Sequence, residues 1–174
     1  MPEAKKRVHL TPEQKEKVRK VILGFIEEIR ESELLQELQE RAQAHIDNLQ
    51  FYADRPSKSA FERAQRVKRS WESEERNWVT SEVLGHPELA QPGMGQFSGY
   101  LTEKDAMTAL GVGRATLRKV VDPSIYNSHI YNPFKLAEVK DHELVLKSRA
   151  LIHRRKNPPR PTAWERIAAK KDLF

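Results

Sequence analysis

A chain of 174 residues, 38% hydrophobic and 32% charged, is long enough for one domain with a real core and an extended arm. Its lack of cysteine excludes a disulfide framework, a thiolate nucleophile and cysteine-ligated zinc, and suits an intracellular, reducing compartment. No apolar run approaches the length of a membrane span, the basic start Lys5-Lys6-Arg7 lacks the apolar segment of a signal peptide, and a net charge of +6 favours a polyanionic partner.

In chain order, residues 1–10 read as a basic tail. Thr11-Pro12-Glu13-Gln14 is a helix start: the threonine caps, proline suits the first helical position, and Gln14 closes a capping box. Val18, Val21, Ile22, Phe25, Ile26 and Ile29 follow at helical spacing, and Leu34, Leu35, Leu38, Ala42, Ile46 and Leu49 continue the stripe until Pro56 ends it. Arg30-Glu31-Ser32-Glu33 interrupts the apolar pattern, which predicts either one bent helix or two with a break near Ser32. Ser59-Ala60-Phe61-Glu62 reads as a second capping box, opening a long helix that folds back on the first with Ala64, Val67, Trp71 and Trp78 on one face. By their register these stripes are core. Trp71 and Trp78 are therefore expected inside rather than stacked on bases, His45 at the core edge, and Arg63, Arg66, Lys68, Arg69 and Arg76 on a solvated face. Apolar surface left over on so long a hairpin would suit a homodimer.

Two prolines and four glycines between Gly85 and Gly99 break any helix and predict a loop, which lacks the lysine of a phosphate-binding loop. Thr102, three residues before Asp105, then starts a helix with Ala106, Ala109 and Leu110 inward, and Gly111 is the residue that takes positive φ past its end. Beyond Gly111-Val112-Gly113, residues Arg114 to Val121 are again helical in period with Leu117, Val120 and Val121 inward, until Asp122-Pro123 stops them. Two short helices about a glycine turn form a helix-turn-helix. Ala106 lets the helices approach, Val112 plugs the gap, Leu117 locks the second helix down, and Arg114, Thr116, Arg118 and Lys119 remain outside. Ala106, Leu110-Gly111-Val112 and Thr116-Leu117 at these spacings resemble the helix-turn-helix of MerR-type and excisionase-type DNA-binding domains, locally over residues 100–139. Gly113 stands where the second helix usually has a capping serine or threonine. The resemblance implies a second helix that enters the major groove of DNA. The alternative is a buried helical hairpin whose basic residues are only solvated.

Ile125-Tyr126 and Ile130-Tyr131, separated by Asn127-Ser128-His129, are expected to form a small wing. Asn132 then caps, and Pro133 opens, a further helix. In the family it resembles, a tyrosine followed by such a helix comes after the wing, as in Tyr131-Asn132-Pro133-Phe134. Phe134, Leu136, Val139, Leu144, Leu146 and Leu151 predict packing of this helix on more than one side, with Lys135, Lys140, Lys147 and Arg149 toward a partner or water. Asp141, beside Lys140 in that helix, reads either as half of a surface charge pair or as an acceptor for cytosine N4 or the hydroxyl of a modified base. His153 to Pro161 is a basic, proline-rich arm suited to backbone contacts, and Thr162-Ala163-Trp164-Glu165 is a capping box for a last short helix that docks through Trp164 and Ile167. Charge is unevenly spread along the chain: Pro12 to Asn48 holds six Lys/Arg against nine Asp/Glu, and Lys140 to Lys171 ten against three.

The six histidines show neither paired helical spacing nor a ligand cluster, and the chain has no nucleophile elbow or recognisable pair of catalytic carboxylates. No catalytic residue, cofactor or metal is expected. The sequence thus predicts an all-α protein: tail and long helical hairpin (1–84), Gly/Pro loop (85–99), helix-turn-helix unit with its following helix (100–152), and basic arm with a terminal helix (153–174). It would bind double-stranded DNA in a nucleus or nucleoid. Arg114, Thr116, Arg118 and Lys119 would read the major groove, and Lys104, Lys135, Lys140, Lys147, Arg149, Arg154, Arg155 and Lys156 would meet phosphates, with Asp141 as the acidic exception. Size, helical build and the embedded helix-turn-helix are also similar to the DNA-binding domain of kinetoplastid base-J-binding thymine dioxygenases. That likeness implies a module of a larger DNA-modifying enzyme recognising a glucosylated base; it transfers no site residues. The competing class is a helical protein-interaction scaffold, in which the hairpin binds and the helix-turn-helix only packs.

Overall fold

A computed structural model describes residues 9–32, 34, 36–91 and 97–171. Among them are eight α-helices and one two-stranded sheet, so the protein is all-α, as the apolar periodicity predicts. The chain divides into two compact units, Met1–Tyr100 and Leu101–Phe174. Lys5-Lys6-Arg7, Leu35 and the loop centre at 92–96 lie outside the described residues.

The first unit begins with α1 (Pro12–Arg30), at the expected capping box: the Gln14 amide donates to Thr11 Oγ1 at 3.2 Å, and the Thr11 amide to Gln14 Oε1 at 2.9 Å. The interruption near Ser32 is a true break, after which the chain resumes as α2 (Gln39–Asp54). Ser32 fastens it, donating to Glu75 Oε1 at 2.6 Å and accepting from the Leu34 amide at 3.3 Å. The helix α3 (Lys58–Trp78) packs on both, so the expected hairpin is a three-helix arrangement. Its cap is Ser57, which accepts from the Ala60 amide at 2.9 Å, rather than Ser59. An N-cap must be extended; Ser57 is (φ −155°, ψ 172°), whereas Ser59 is already helical.

Ile22, Ile26 and Ile29 from α1, Ala42, Ile46, Leu49 and Ala53 from α2, and Ala64 and Trp71 from α3 form one buried cluster. Each large side chain withdrawn from water there stabilises the unit by roughly 1.5–3 kcal/mol, and the alanines allow the helices to approach. His45 sits at the cluster's edge as expected, edge-on to Trp71 at 5.8 Å between ring centroids, with Nε2 3.2 Å from Glu74 Oε1. Arg76 corrects the sequence reading: it is buried, not solvated. Its Nε and Nη2 donate to the Ser98 carbonyl at 3.1 and 2.6 Å, and its guanidinium lies 4.2 Å over the Tyr100 ring. Polar pairing covers this second face of α3, so no apolar repeat announces it.

In the second unit, β1 (Leu101–Thr102) pairs antiparallel with β2 (Ile130–Tyr131), Leu101 opposite Tyr131. The expected wing does not form. Residues 124–129 are taken up by turns, with the Tyr126 amide donating to Ser124 Oγ and the His129 amide to Asn127 Oδ1, and Ile125 is left 88% exposed. Around the sheet stand α4 (Glu103–Leu110), α5 (Arg114–Val120), α6 (Pro133–Val139), α7 (Glu143–Lys156) and α8 (Ala163–Lys171). The single helix expected after Asn132 is two helices. Asn132 Oδ1 caps α6 by accepting from the Phe134 amide, and His142 Nδ1 caps α7 by accepting from the Leu144 amide. The break between them resets the helical register: Leu136 and Val145 are buried, whereas Leu144, Leu146 and Leu151, expected inside, are exposed. It also places Asp141 in a turn rather than in a helix. Thr162 and Glu165 make the expected capping box, but Trp164 and Ile167 are exposed, so α8 does not dock through them. The arm expected from His153 begins inside α7 and leaves the helix only after Lys156.

Candidate nucleic-acid interface

The strongest candidate surface is built by α4, the turn at Gly111 and α5. Thr102 Oγ1 accepts from the Asp105 amide at 3.2 Å and starts α4; Gly111 at φ +66° ends it, with the Gly111 and Val112 amides returning to the Thr108 and Met107 carbonyls. Ala106, Ala109, Leu110, Val112 and Leu117 are buried as expected, which fixes α5 against α4. Gly113 is extended and gives α5 no side-chain cap. Arg149 reaches back from α7: its Nε donates to the Leu110 carbonyl, and its side-chain carbons lie over Gly111. That arginine satisfies an orphan carbonyl at a helix end and clamps the turn.

Arg114, Arg118 and Lys119 are exposed on the outer side of α5, and Thr116 is half-buried. The two arginines converge on Glu103, the first residue of α4. Arg114 Nε lies 2.6 Å from Glu103 Oε1, and Arg118 Nη2 donates to Glu103 Oε2 at 3.1 Å. The Glu103 side chain is 20% exposed, against 65% and 61% for the arginines, so the carboxylate sits beneath and the cations above. Burial foremost, and then the negative charge of Glu103, push the buried Tyr131 phenol above its ordinary pKa.

Sequence reasoning missed Glu103. The signal it carried was an acid at the first position of the first helix, where the macrodipole favours it, preceding two arginines four residues apart on the second.

The remaining expected residues are dispersed over the same unit. Lys104 and Lys135 are exposed, Lys140 is half-buried, and Asp141 is exposed in its turn. Lys147 pairs with Glu143 at 2.6 Å on α7. Arg154, Arg155 and Lys156 are exposed in the last turn of α7, where the helix dipole favours cations. Among the described residues, no ion pair or hydrogen bond ties Lys104, Lys135, Asp141 or the end of α7 to the Glu103 cluster. Charge nevertheless separates by unit: residues 101–174 hold fifteen Lys/Arg against eight Asp/Glu, and residues 1–100 hold sixteen against seventeen. Among the described residues no helix is long and apolar enough to cross a membrane. Comparison with family models, curated proteins and solved structures finds no match.

Proposed function

We propose that the chain binds double-stranded DNA, with α5 in the major groove. The observation that carries this reading is the outer face of α5, where Arg114, Arg118 and Lys119 stand exposed on a helix locked by Leu117 and the Gly111 turn, in the unit that holds all the net positive charge. A major groove admits one α-helix, and an arginine fork matches guanine O6 and N7. Thr116 lies on the same helix, and Lys104, Lys135, Lys140, Lys147, Arg154, Arg155 and Lys156 supply cations for phosphates. Arg149 leaves that set, because its Nε is engaged by the Leu110 carbonyl. On this reading the chain works in a nucleus or nucleoid, as the targeting module of a larger DNA-modifying enzyme, and Asp141 is the acceptor for a modified base.

A second reading, a protein-interaction scaffold that binds through the hairpin, draws on the exposed Val21 of α1 and Phe51 of α2, to which the exposed Leu146, Leu151, Trp164 and Ile167 of α7 and α8 add further apolar surface. Electrophoretic shift with random duplex at low salt separates the two. DNA binding predicts a shift at micromolar protein; none would favour the scaffold. Plain, glucosyl-hydroxymethyluracil and single-stranded oligonucleotides form the second arm, in which equal affinity for plain and modified duplex ends the modified-base reading.

A further inference from the structure

Arg114 and Arg118 lie four residues apart on α5, so they emerge on one face a single turn apart, where two guanidinium groups repel. Glu103 serves both with its two oxygens. Oε1 lies 2.6 Å from Arg114 Nε and accepts from Arg118 Nη2 at 3.5 Å, while Oε2 accepts from Arg118 Nη2 at 3.1 Å and Nε at 3.4 Å. Arg118 thus turns its Nε–Nη2 edge to the carboxylate, which leaves Nη1 and the second Nη2 hydrogen for the O6 and N7 acceptors of guanine, while Nε is the Arg114 nitrogen nearest the acid. Glu103 itself is held by its backbone position next to the Thr102 cap, and its side chain is 20% exposed beneath the two arginines.

An ion pair whose arginines stand in solvent contributes little to folding, so stability is a poor reason for this arrangement. Its larger effect is on side-chain freedom. Each arginine carries rotamer entropy that base readout must otherwise remove at the moment of binding.

We infer that Glu103 is a positioning residue that sets the specificity of the DNA-binding surface, holding Arg114 and Arg118 together over one carboxylate for guanine while offsetting part of their attraction to phosphate. The inference rests on the DNA-binding reading above. It separates two roles that differ in outcome. A carboxylate that only blocked the arginines would, once removed, tighten binding to every duplex alike. A carboxylate that aims them would, once removed, spare or tighten binding to random duplex and abolish discrimination.

The test uses the full chain, Glu103→Gln and Glu103→Asp, each checked for folding by circular dichroism and thermal melting. Duplexes are enriched from a randomised pool with the parent protein. Affinities are then measured for the enriched duplex, the same duplex with 7-deazaguanine in place of guanine, and an unrelated duplex. The parent should enrich a guanine-containing site and lose about tenfold on removal of N7, the scale of one bidentate arginine–guanine pair. Glu103→Gln should hold random duplex at least as tightly as the parent while losing that tenfold preference. Glu103→Asp, which keeps the charge but draws the carboxylate back by one methylene, should move discrimination the same way by a smaller factor, and it carries the test if Glu103→Gln does not fold. Discrimination unchanged in both variants, or uniform tightening with the same enriched site, overturns the inference. So does a parent that binds all duplexes alike, although DNA binding then still stands. A parent that binds no duplex removes the proposed function itself, and this inference with it.

Discussion

Several residues here are governed by what surrounds them more than by their own type. Glu75 receives a hydrogen bond from Ser32 in the first unit, yet burial outweighs that bond and raises its carboxyl above the ordinary value of 4.5. The folded state thus favours the protonated form. The stability Glu75 contributes is present in full below its unfolded pKa and is lost as pH rises through the raised folded value. Glu75→Gln keeps an acceptor for Ser32 and removes the charge. The variant should match or exceed the parent's stability at neutral pH, and its stability should fall less between about pH 4.5 and neutrality. Urea midpoints across that range give the measurement, and a parent–variant difference independent of pH would refute it. Arg76 makes the same point with a cation. Burial lowers its pKa, and the Ser98 carbonyl and Tyr100 ring replace water, a fate its neighbours in sequence do not suggest.

Elements whose signal is local were legible in the sequence, and those whose partners lie far along the chain were not. The caps at Thr11, Thr102, Asn132 and Thr162 each reach an amide or side chain two or three residues away, so a short pattern suffices to find them. The left-handed turn at Gly111 is equally local. The pairing of Leu101–Thr102 with Ile130–Tyr131 is not: two residues on each side give too short an alternation, and Ile125-Tyr126 offered a nearer partner with the same β preference. The split between α6 and α7 was hidden because Lys140, Asp141 and His142 are neither glycine nor proline, and the leucines beyond them continue an apparent apolar stripe. Of the candidate surface, the cations of α5 were legible, but the acid that gathers them came only with the packing of α4 on α5. This difference has a measurable form. Leu117, fully buried, should cost about 2–5 kcal/mol when replaced by alanine, because truncation leaves a cavity between packed elements. Leu146, 48% exposed on α7, should cost no more than about 0.5 kcal/mol. Chemical denaturation of the two variants checks the order, and comparable losses would mean that Leu146 is covered in solution, as the scaffold reading allows.

At the scale of the whole molecule, charge is divided unequally between the two compact units, the first near neutral at −1 and the second basic at +7 by residue count. A polyanion would meet the second unit by long-range attraction and be read by α5 only at close range, so affinity and specificity should respond to different residues. If six phosphates are neutralised, log K should fall against log salt with a slope of roughly −5. Replacing Arg154, Arg155 and Lys156 together by alanine removes three exposed cations from the end of α7 without touching the buried residues. That triple variant should bind all duplexes more weakly at low salt, with a slope shallower by nearly 3, at about 0.9 for each phosphate left without its cation. Its preference among duplexes should stay that of the parent, because phosphate contacts carry no sequence information. Binding titrations from low to physiological salt on the enriched and unrelated duplexes supply both quantities at once. An unchanged slope would take the end of α7 out of the interface, and a changed preference would mean that those cations reach base edges rather than the backbone.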